Sequence, residues 1–204
     1  MKQLISTDNY EAYKKRQWKE INRLYELKLF SKHIDLISKL SVNKNFRKDG
    51  KVLCIGARYG TEVEVFKQLG FSNITAIDIY PRSENVIEAD MHSLPFSDNS
   101  FDIIYTHHSL DHSLFPEKAV KEMYKVSKKT AFWIHTIPFN DYGKEEAIDF
   151  DSSNEIITFF EEYTSEIIYQ QEVIRNQKGF IEPAGFCLPK GWKNELRIIF
   201  KIKK

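Results

Sequence analysis

Val52-Leu53-Cys54-Ile55-Gly56-Ala57-Arg58-Tyr59-Gly60-Thr61 is the stretch that decides the fold. Four apolar residues in succession predict a short strand covered on both faces, as inside a parallel sheet. Two glycines then bound a tight turn, and residues 61–69 read as a helix that stops at Gly70. A strand running through such a turn into a helix brings free backbone N–H groups to the carboxyl edge of a sheet. Polar or anionic groups bind there. Tight turns also need glycine for purely steric reasons, so the turn alone leaves a binding and a structural reading open.

Outward from this unit the alternation continues. Residues 73–78, 86–89, 101–106 and 130–136 read as further strands, and residues 116–126 as an amphipathic helix with Pro116 in its first turn. Residues 154–163 read as helix, and the β-rich stretches 166–175 and 195–203 close the pattern. Before the glycine unit, Tyr10, Tyr13, Trp18, Ile21, Leu24, Tyr25, Ile34, Ile37 and Leu40 recur at helical spacing, and residues 41–50 form a polar connector. The expectation is an α/β fold, a Rossmann-like three-layer sandwich. Residues 1–45 form an N-terminal helical lid and residues 46–204 the sheet domain.

Composition narrows the function classes. The chain has 204 residues, 42% hydrophobic and 29% charged, the proportions of a globular protein. Thirty basic against 29 acidic residues leave a net charge of +1, too little to draw the whole molecule to nucleic acid or anionic lipid. The basic excess is local to residues 1–50, and an acidic run occupies residues 141–166; both read as solvated helix surface. Cys54 and Cys187 make neither a disulfide framework nor a zinc set. With no signal-like apolar segment and no membrane-length run, a cytoplasmic location is expected.

The tips of the other strands carry acids. Asp78 ends the second strand 22 positions beyond Gly56, a spacing at which a carboxylate accepts the hydroxyls of a ribose, and Ile79 follows it. Asp90 and Met91 follow the third strand, and Leu94-Pro95-Phe96 precedes the Phe101-Asp102 strand. With this set the chain resembles the class I S-adenosylmethionine-dependent methyltransferases, specifically the type 11-like domain, across residues 51–138. The resemblance implies a mostly parallel seven-stranded sheet with an antiparallel last strand at residues 195–203. It implies S-adenosylmethionine as cofactor and S-adenosylhomocysteine as product. Gly56, Ala57, Arg58 and Gly60 would flank the methionine portion, Asp78 and Ile79 the ribose, Asp90 and Met91 the adenine, and His107 the sulfonium.

Three departures stand out. Cys54 occupies a position usually acidic in the family, and Arg58 replaces the loop's middle glycine. Only residues 79–85 separate the second and third strands, too few for the usual helix. Arg58 is read either as a clasp for a carboxylate or as a solvent-facing loop arginine. Glu62 is a candidate to replace the missing acid.

His107-His108-Ser109-Leu110-Asp111-His112 follows the fourth strand. Methyl transfer from a sulfonium needs alignment and, for a hydroxyl acceptor, removal of a proton, a task suited to histidine near neutrality. In a helical turn His108, Asp111 and His112 share one face, as acid-base or orienting groups, as metal ligands or as plain capping residues. His33, His92 and His135 read as structural, and Trp133, Phe159 and Phe160 as core. The expected function is methyl transfer to a small polar acceptor, an oxygen of a sugar or metabolite, with no membrane partner. The rivals are an RNA methyltransferase using the basic lid and a non-catalytic interaction protein.

Overall fold

The computed structural model describes residues 1–3, 10, 11, 14, 15, 29–41, 46–140, 147–176, 181–183 and 192–204. In chain order the elements bounded within the described residues are β1 (Lys2–Gln3), α1 (Leu29–Ser41), β2 (Lys51–Ile55), α2 (Thr61–Gln68), β3 (Asn73–Asp78), β4 (Ile87–Glu88) and β5 (Phe101–His107). There follow α3 (Pro116–Val126), β6 (Ser127–Phe139), β7 (Ile148–Asp149), α4 (Ser153–Phe160), a 3-10 turn (Glu161–Tyr163), β8 (Thr164–Asn176), β9 (Ile181–Pro183) and β10 (Trp192–Ile202).

The main sheet has the order β4-β3-β2-β5-β6-β10-β8-β9. Strands β4, β3, β2, β5 and β6 are parallel, and β10 inserts antiparallel between β6 and β8. These are the expected seven strands with the antiparallel one last among them, and the short β9 extends the edge. Strand order reverses between β2 and β5, and in open α/β sheets a ligand crevice lies outside the carboxyl ends of the strands at such a switch point.

Two apolar layers cover the sheet. On one face α1 and α2 bring Leu36, Ile37, Val65 and Phe66 against Val52, Cys54 and Ile134. On the other, α3 and α4 bring Val120, Met123, Ile156 and Phe160 against Leu53, Ile104 and Trp133. Trp133 is fully buried and stacks on Tyr163 at 5.8 Å, as a core residue does. Its indole N–H donates to Ser127 Oγ (2.8 Å), which donates in turn to Met123 O (2.7 Å). Ser127 thereby ends α3 and starts β6, where its backbone becomes extended.

Several expectations need correction. Residues 2 and 3 form a strand rather than helix, paired antiparallel with Ile148–Asp149. This pairing buries Asp149, which is no solvated acid. The third strand shrinks to Ile87–Glu88 because the short connector from β3 holds it at the edge, paired on one side. Helix α4 ends at Phe160 and tightens into the 3-10 turn; Ser152 caps its start by accepting from Glu155 N (3.3 Å). The pattern at Tyr13, Trp18, Ile21, Leu24 and Tyr25, and Cys187, lie outside the described residues. No helix among the described residues is long and apolar enough to cross a membrane.

Candidate functional site

The glycine turn is shaped first by its own packing. Gly56 has φ +79, and its N–H and that of Ala57 both donate to Ile77 O (2.9 and 3.0 Å). A Cβ at Gly56 would stand 2.4 Å from Ser109 Cβ, and Ser109 is fixed by donating Oγ to Ile55 O (3.0 Å). Gly60, at φ +72, is the N-cap of α2. Both positions exclude ordinary side chains. This satisfies the structural reading of the turn and still leaves the first turn of α2 at the crevice.

Arg58 lies against Asp78 rather than out in solvent. Its backbone N–H donates to Asp78 Oδ2 (3.1 Å) and its Nε lies 3.8 Å from Oδ1. Tyr80 N donates to Oδ1 (2.8 Å). Burial pushes the Asp78 carboxyl up, opposed by Arg58 and these N–H donors. Ile79 beside it is half-buried. No helix links β3 to β4; Arg82 N donates to Arg58 O (2.7 Å) and folds the connector over the turn.

Asp90 is held by His92 and Tyr10, a partnership no sequence spacing indicates. Its Oδ1 accepts from His92 N (2.9 Å) and lies 2.6 Å from His92 Nδ1. Its Oδ2 accepts from the Tyr10 hydroxyl of the N-terminal segment. Burial raises the Asp90 carboxyl, but the bonds from His92 and Tyr10 outweigh it and hold the group far below the usual carboxylate range. His92 is buried and reaches Ser113 Oγ at 2.8 Å, so it is structural as expected, though its structure serves Asp90. Met91 packs against the larger core.

The histidine run does not form a helix. His108 has φ +48, and the segment turns through His112 N→Ser109 O (3.2 Å) and Ser113 N→Leu110 O (2.9 Å) before α3 begins. The expected single face of His108, Asp111 and His112 is therefore absent. His108 Nε2 points to Glu195 Oε2 (2.9 Å), while His112 Nε2 lies 3.7 Å from Asp111 Oδ2. Among the described residues no group of three His, Cys, Asp or Glu is arranged to hold a metal. His107 sits between two rings, 4.4 Å from His33 and 4.7 Å from His108.

Three buried carboxylates have no cation within hydrogen-bond distance among the described residues. Glu62, Asp78 and Asp111 are 7%, 5% and 1% exposed. Their cationic or titratable neighbours stand back: His33 Nε2 at 3.9 Å, Arg58 Nε at 3.8 Å and His112 Nε2 at 3.7 Å. The Asp111 carboxylate oxygens accept no hydrogen bond among the described residues. Burial, with Asp78 adding to it, pushes Glu62 up to about 7. A buried anion without a partner is costly, so this lining suits a ligand that brings positive charge.

Glu195 and Arg197 escaped the sequence reading. Both are 1% exposed, and Arg197 Nε donates to Glu195 Oε1 (2.8 Å) while Nη1 donates to Asp35 Oδ2 (2.6 Å). The available signal was Glu195 and Arg197 at alternate positions flanking Leu196 and followed by Ile198-Ile199-Phe200, which puts both on one face of the strand. His33 of α1, also read as structural, bonds Tyr105 OH through Nδ1 (2.7 Å) beneath Glu62.

Residues 53–134 match the family model of a methyltransferase domain. No curated protein matches the chain. Among solved structures, YcgJ from Bacillus subtilis is 17% identical with a TM-score of 0.65, covering 85% of this chain and 99% of that one. The 1,6-didemethyltoxoflavin-N1-methyltransferase of Burkholderia thailandensis, solved with its substrate and S-adenosylhomocysteine, is 13% identical with a TM-score of 0.69, covering 98% and 92%. The [4+2]-cyclase SpnF is 17% identical with a TM-score of 0.57, covering 68% and 59%. The fold is that of the class I S-adenosylmethionine-dependent methyltransferases, and the last neighbour's name shows that such a fold also carries other chemistry.

Proposed function

We propose that this chain is a methyltransferase that uses S-adenosylmethionine and methylates a small polar acceptor, an oxygen of a sugar or metabolite. The observation that carries the reading is the trio of buried carboxylates at the carboxyl edge of the sheet, Glu62, Asp78 and Asp111, none of which has a cation within hydrogen-bond distance among the described residues. S-adenosylmethionine bears an ammonium and a sulfonium, and its charge supplies what these groups lack. When bound, it offers an electrophilic methyl group.

The chain's own residues do the rest. Asp78 and Ile79 face the ribose, Asp90 and Met91 the adenine, and Gly56, Ala57, Arg58 and Gly60 the methionine portion, with His107 beside the reacting centre. His108, Asp111 and His112 are assigned to the acceptor side as orienting and proton-accepting groups. The lid role is assigned to residues 1–45, whose Tyr10 hydroxyl donates to Asp90. Closure of that segment excludes water from the crevice. The acceptor is a small molecule, and a cytoplasmic setting suits the free, buried Cys54.

The test is mass spectrometry of the purified protein for co-purified cofactor, with a metabolite-extract screen for transfer of labelled methyl. Incorporation into a small polar molecule supports the proposal; incorporation into RNA alone or into nothing opposes it. A second reading, a non-catalytic descendant, is favoured by one contact, Arg58 folded on Asp78. It predicts no cofactor and no transfer in the same experiment.

A further inference from the structure

A polar chain with a buried centre, which the cofactor contacts do not use, links α1, β10 and the residue after β5. It begins at Asp35 of α1, which accepts from Arg197 Nη1 (2.6 Å). Arg197 Nε donates to Glu195 Oε1 (2.8 Å), and Glu195 Oε2 lies 2.9 Å from His108 Nε2. Glu195 and Arg197 are 1% exposed, whereas the His108 side chain is 26% exposed. The chain spans the sheet: β10 pairs with β6, β6 pairs with β5, and His108 follows directly on β5. Its backbone N–H is tied to Thr136 O (3.0 Å), and its left-handed backbone turns the ring toward β10.

This geometry fixes roles for each atom. Arginine only donates, so Glu195 must accept from it at Oε1. At Oε2 the carboxylate accepts again, and His108 Nε2 is the donor. A neutral imidazole that donates through Nε2 carries its lone pair on Nδ1. His108 Nδ1 makes no hydrogen bond among the described residues. A carboxylate behind one ring nitrogen, with the other left open at a strand tip, is the arrangement that prepares an imidazole to take a proton.

We propose that Glu195, secured by Arg197 and Asp35, is the positioning residue for His108, and that His108 Nδ1 accepts the proton of the acceptor's hydroxyl. The inference rests on the methyltransferase reading and deepens it, since it places the acceptor beside β10 and requires an O–H nucleophile. The acceptor O–H bond breaks and its proton goes to Nδ1. The oxygen's electron pair forms the new bond to the methyl carbon, whose bond to the sulfonium sulfur breaks with its pair left on sulfur. The proton on His108 then passes to water.

The discriminating variant is Glu195→Gln. Because Arg197 can only donate, the new amide must turn its oxygen to Arg197 and its NH2 to His108. His108 Nε2 then becomes the acceptor and the proton moves to Nδ1, which blocks the base. Long-range proton–nitrogen NMR of the full chain reads this directly, with His108→Gln for assignment. The parent is expected to hold the Nε2–H tautomer and Glu195→Gln the Nδ1–H tautomer, with affinity for S-adenosylhomocysteine within about threefold of the parent. An Nδ1–H tautomer in the parent, or an unswitched one in Glu195→Gln, overturns the proposal. If the variant does not fold, the parent's tautomer decides. A parent that shows the expected tautomer but binds no S-adenosylhomocysteine sinks the methyltransferase reading and the base role with it, leaving a structural dyad.

Discussion

Arg58 lies along Asp78, its backbone N–H 3.1 Å from Oδ2 and its Nε 3.8 Å from Oδ1. The same carboxylate thus braces the glycine turn and is the group assigned to the ribose. Replacing Arg58 by glycine, the family's residue at this place, keeps the backbone bond and removes the guanidinium. Arg58→Gly is expected to tighten S-adenosylhomocysteine binding about three- to tenfold, because one competing charge leaves Asp78. Asp78→Ala is expected to weaken it at least about tenfold and to cost about 1–3 kcal/mol of stability through its stranded N–H donors. Calorimetry with chemical denaturation checks both.

Gly56 and Ser109 make the tightest fit in the turn, and the prediction there concerns folding. Gly56→Ala puts a methyl 2.4 Å from Ser109 Cβ at a backbone angle of +79. It should destabilise by at least about 2 kcal/mol, and Ser109→Gly in the same chain should recover the steric part while leaving about 1 kcal/mol of backbone strain. Equal instability of single and double variants, measured in urea, would contradict this account of the glycine.

Glu62 and His135 give opposite pH signatures. Burial raises Glu62 to about 7. The folded chain therefore keeps a proton that the unfolded chain has lost above its ordinary value. This contribution to stability is full at acid pH and falls as pH rises towards and through 7, by at most about 3 kcal/mol. Glu62→Gln should raise the melting temperature at pH 8 and change it little at pH 4.5. Bound positive charge should favour ionised Glu62, so S-adenosylmethionine affinity should weaken as pH falls below 7.

Burial lowers His135 to about 3, with its ring stacked 4.8 Å from Phe160. Here the unfolded chain takes up the proton first, so stability falls as pH drops from about 6.5 towards 3. His135→Phe should flatten that limb, at some cost from the lost bond to Thr106 Oγ1. Urea titrations at pH 4 and pH 7 distinguish the two slopes.

What sequence alone revealed follows the range of the forces involved. Helix α3 fell within its predicted limits because Pro116 and the apolar spacing of Ala119, Val120 and Met123 are local signals. The central strands were legible because β2 is buried on both faces and reads as an unbroken apolar run. The small β1–β7 pair was not, since strands of two residues carry no periodicity and form only where the fold brings them together. In the site, Asp78 and Asp90 were found at strand tips, whereas the aim of His108 was missed. That aim is set by Glu195, 87 residues away, and by a left-handed backbone that no helical spacing rule anticipates. His92 was under-read for the opposite reason: it looked like ordinary core and is core, but its two nitrogens hold Asp90 and Ser113 in place.

The most direct measurement is isothermal calorimetry of the full chain with S-adenosylhomocysteine at pH 7.5. The account predicts saturable binding at one site with a micromolar dissociation constant, about −8 kcal/mol, lost in Asp78→Ala. No heat at millimolar ligand, or undiminished binding by Asp78→Ala, would contradict it.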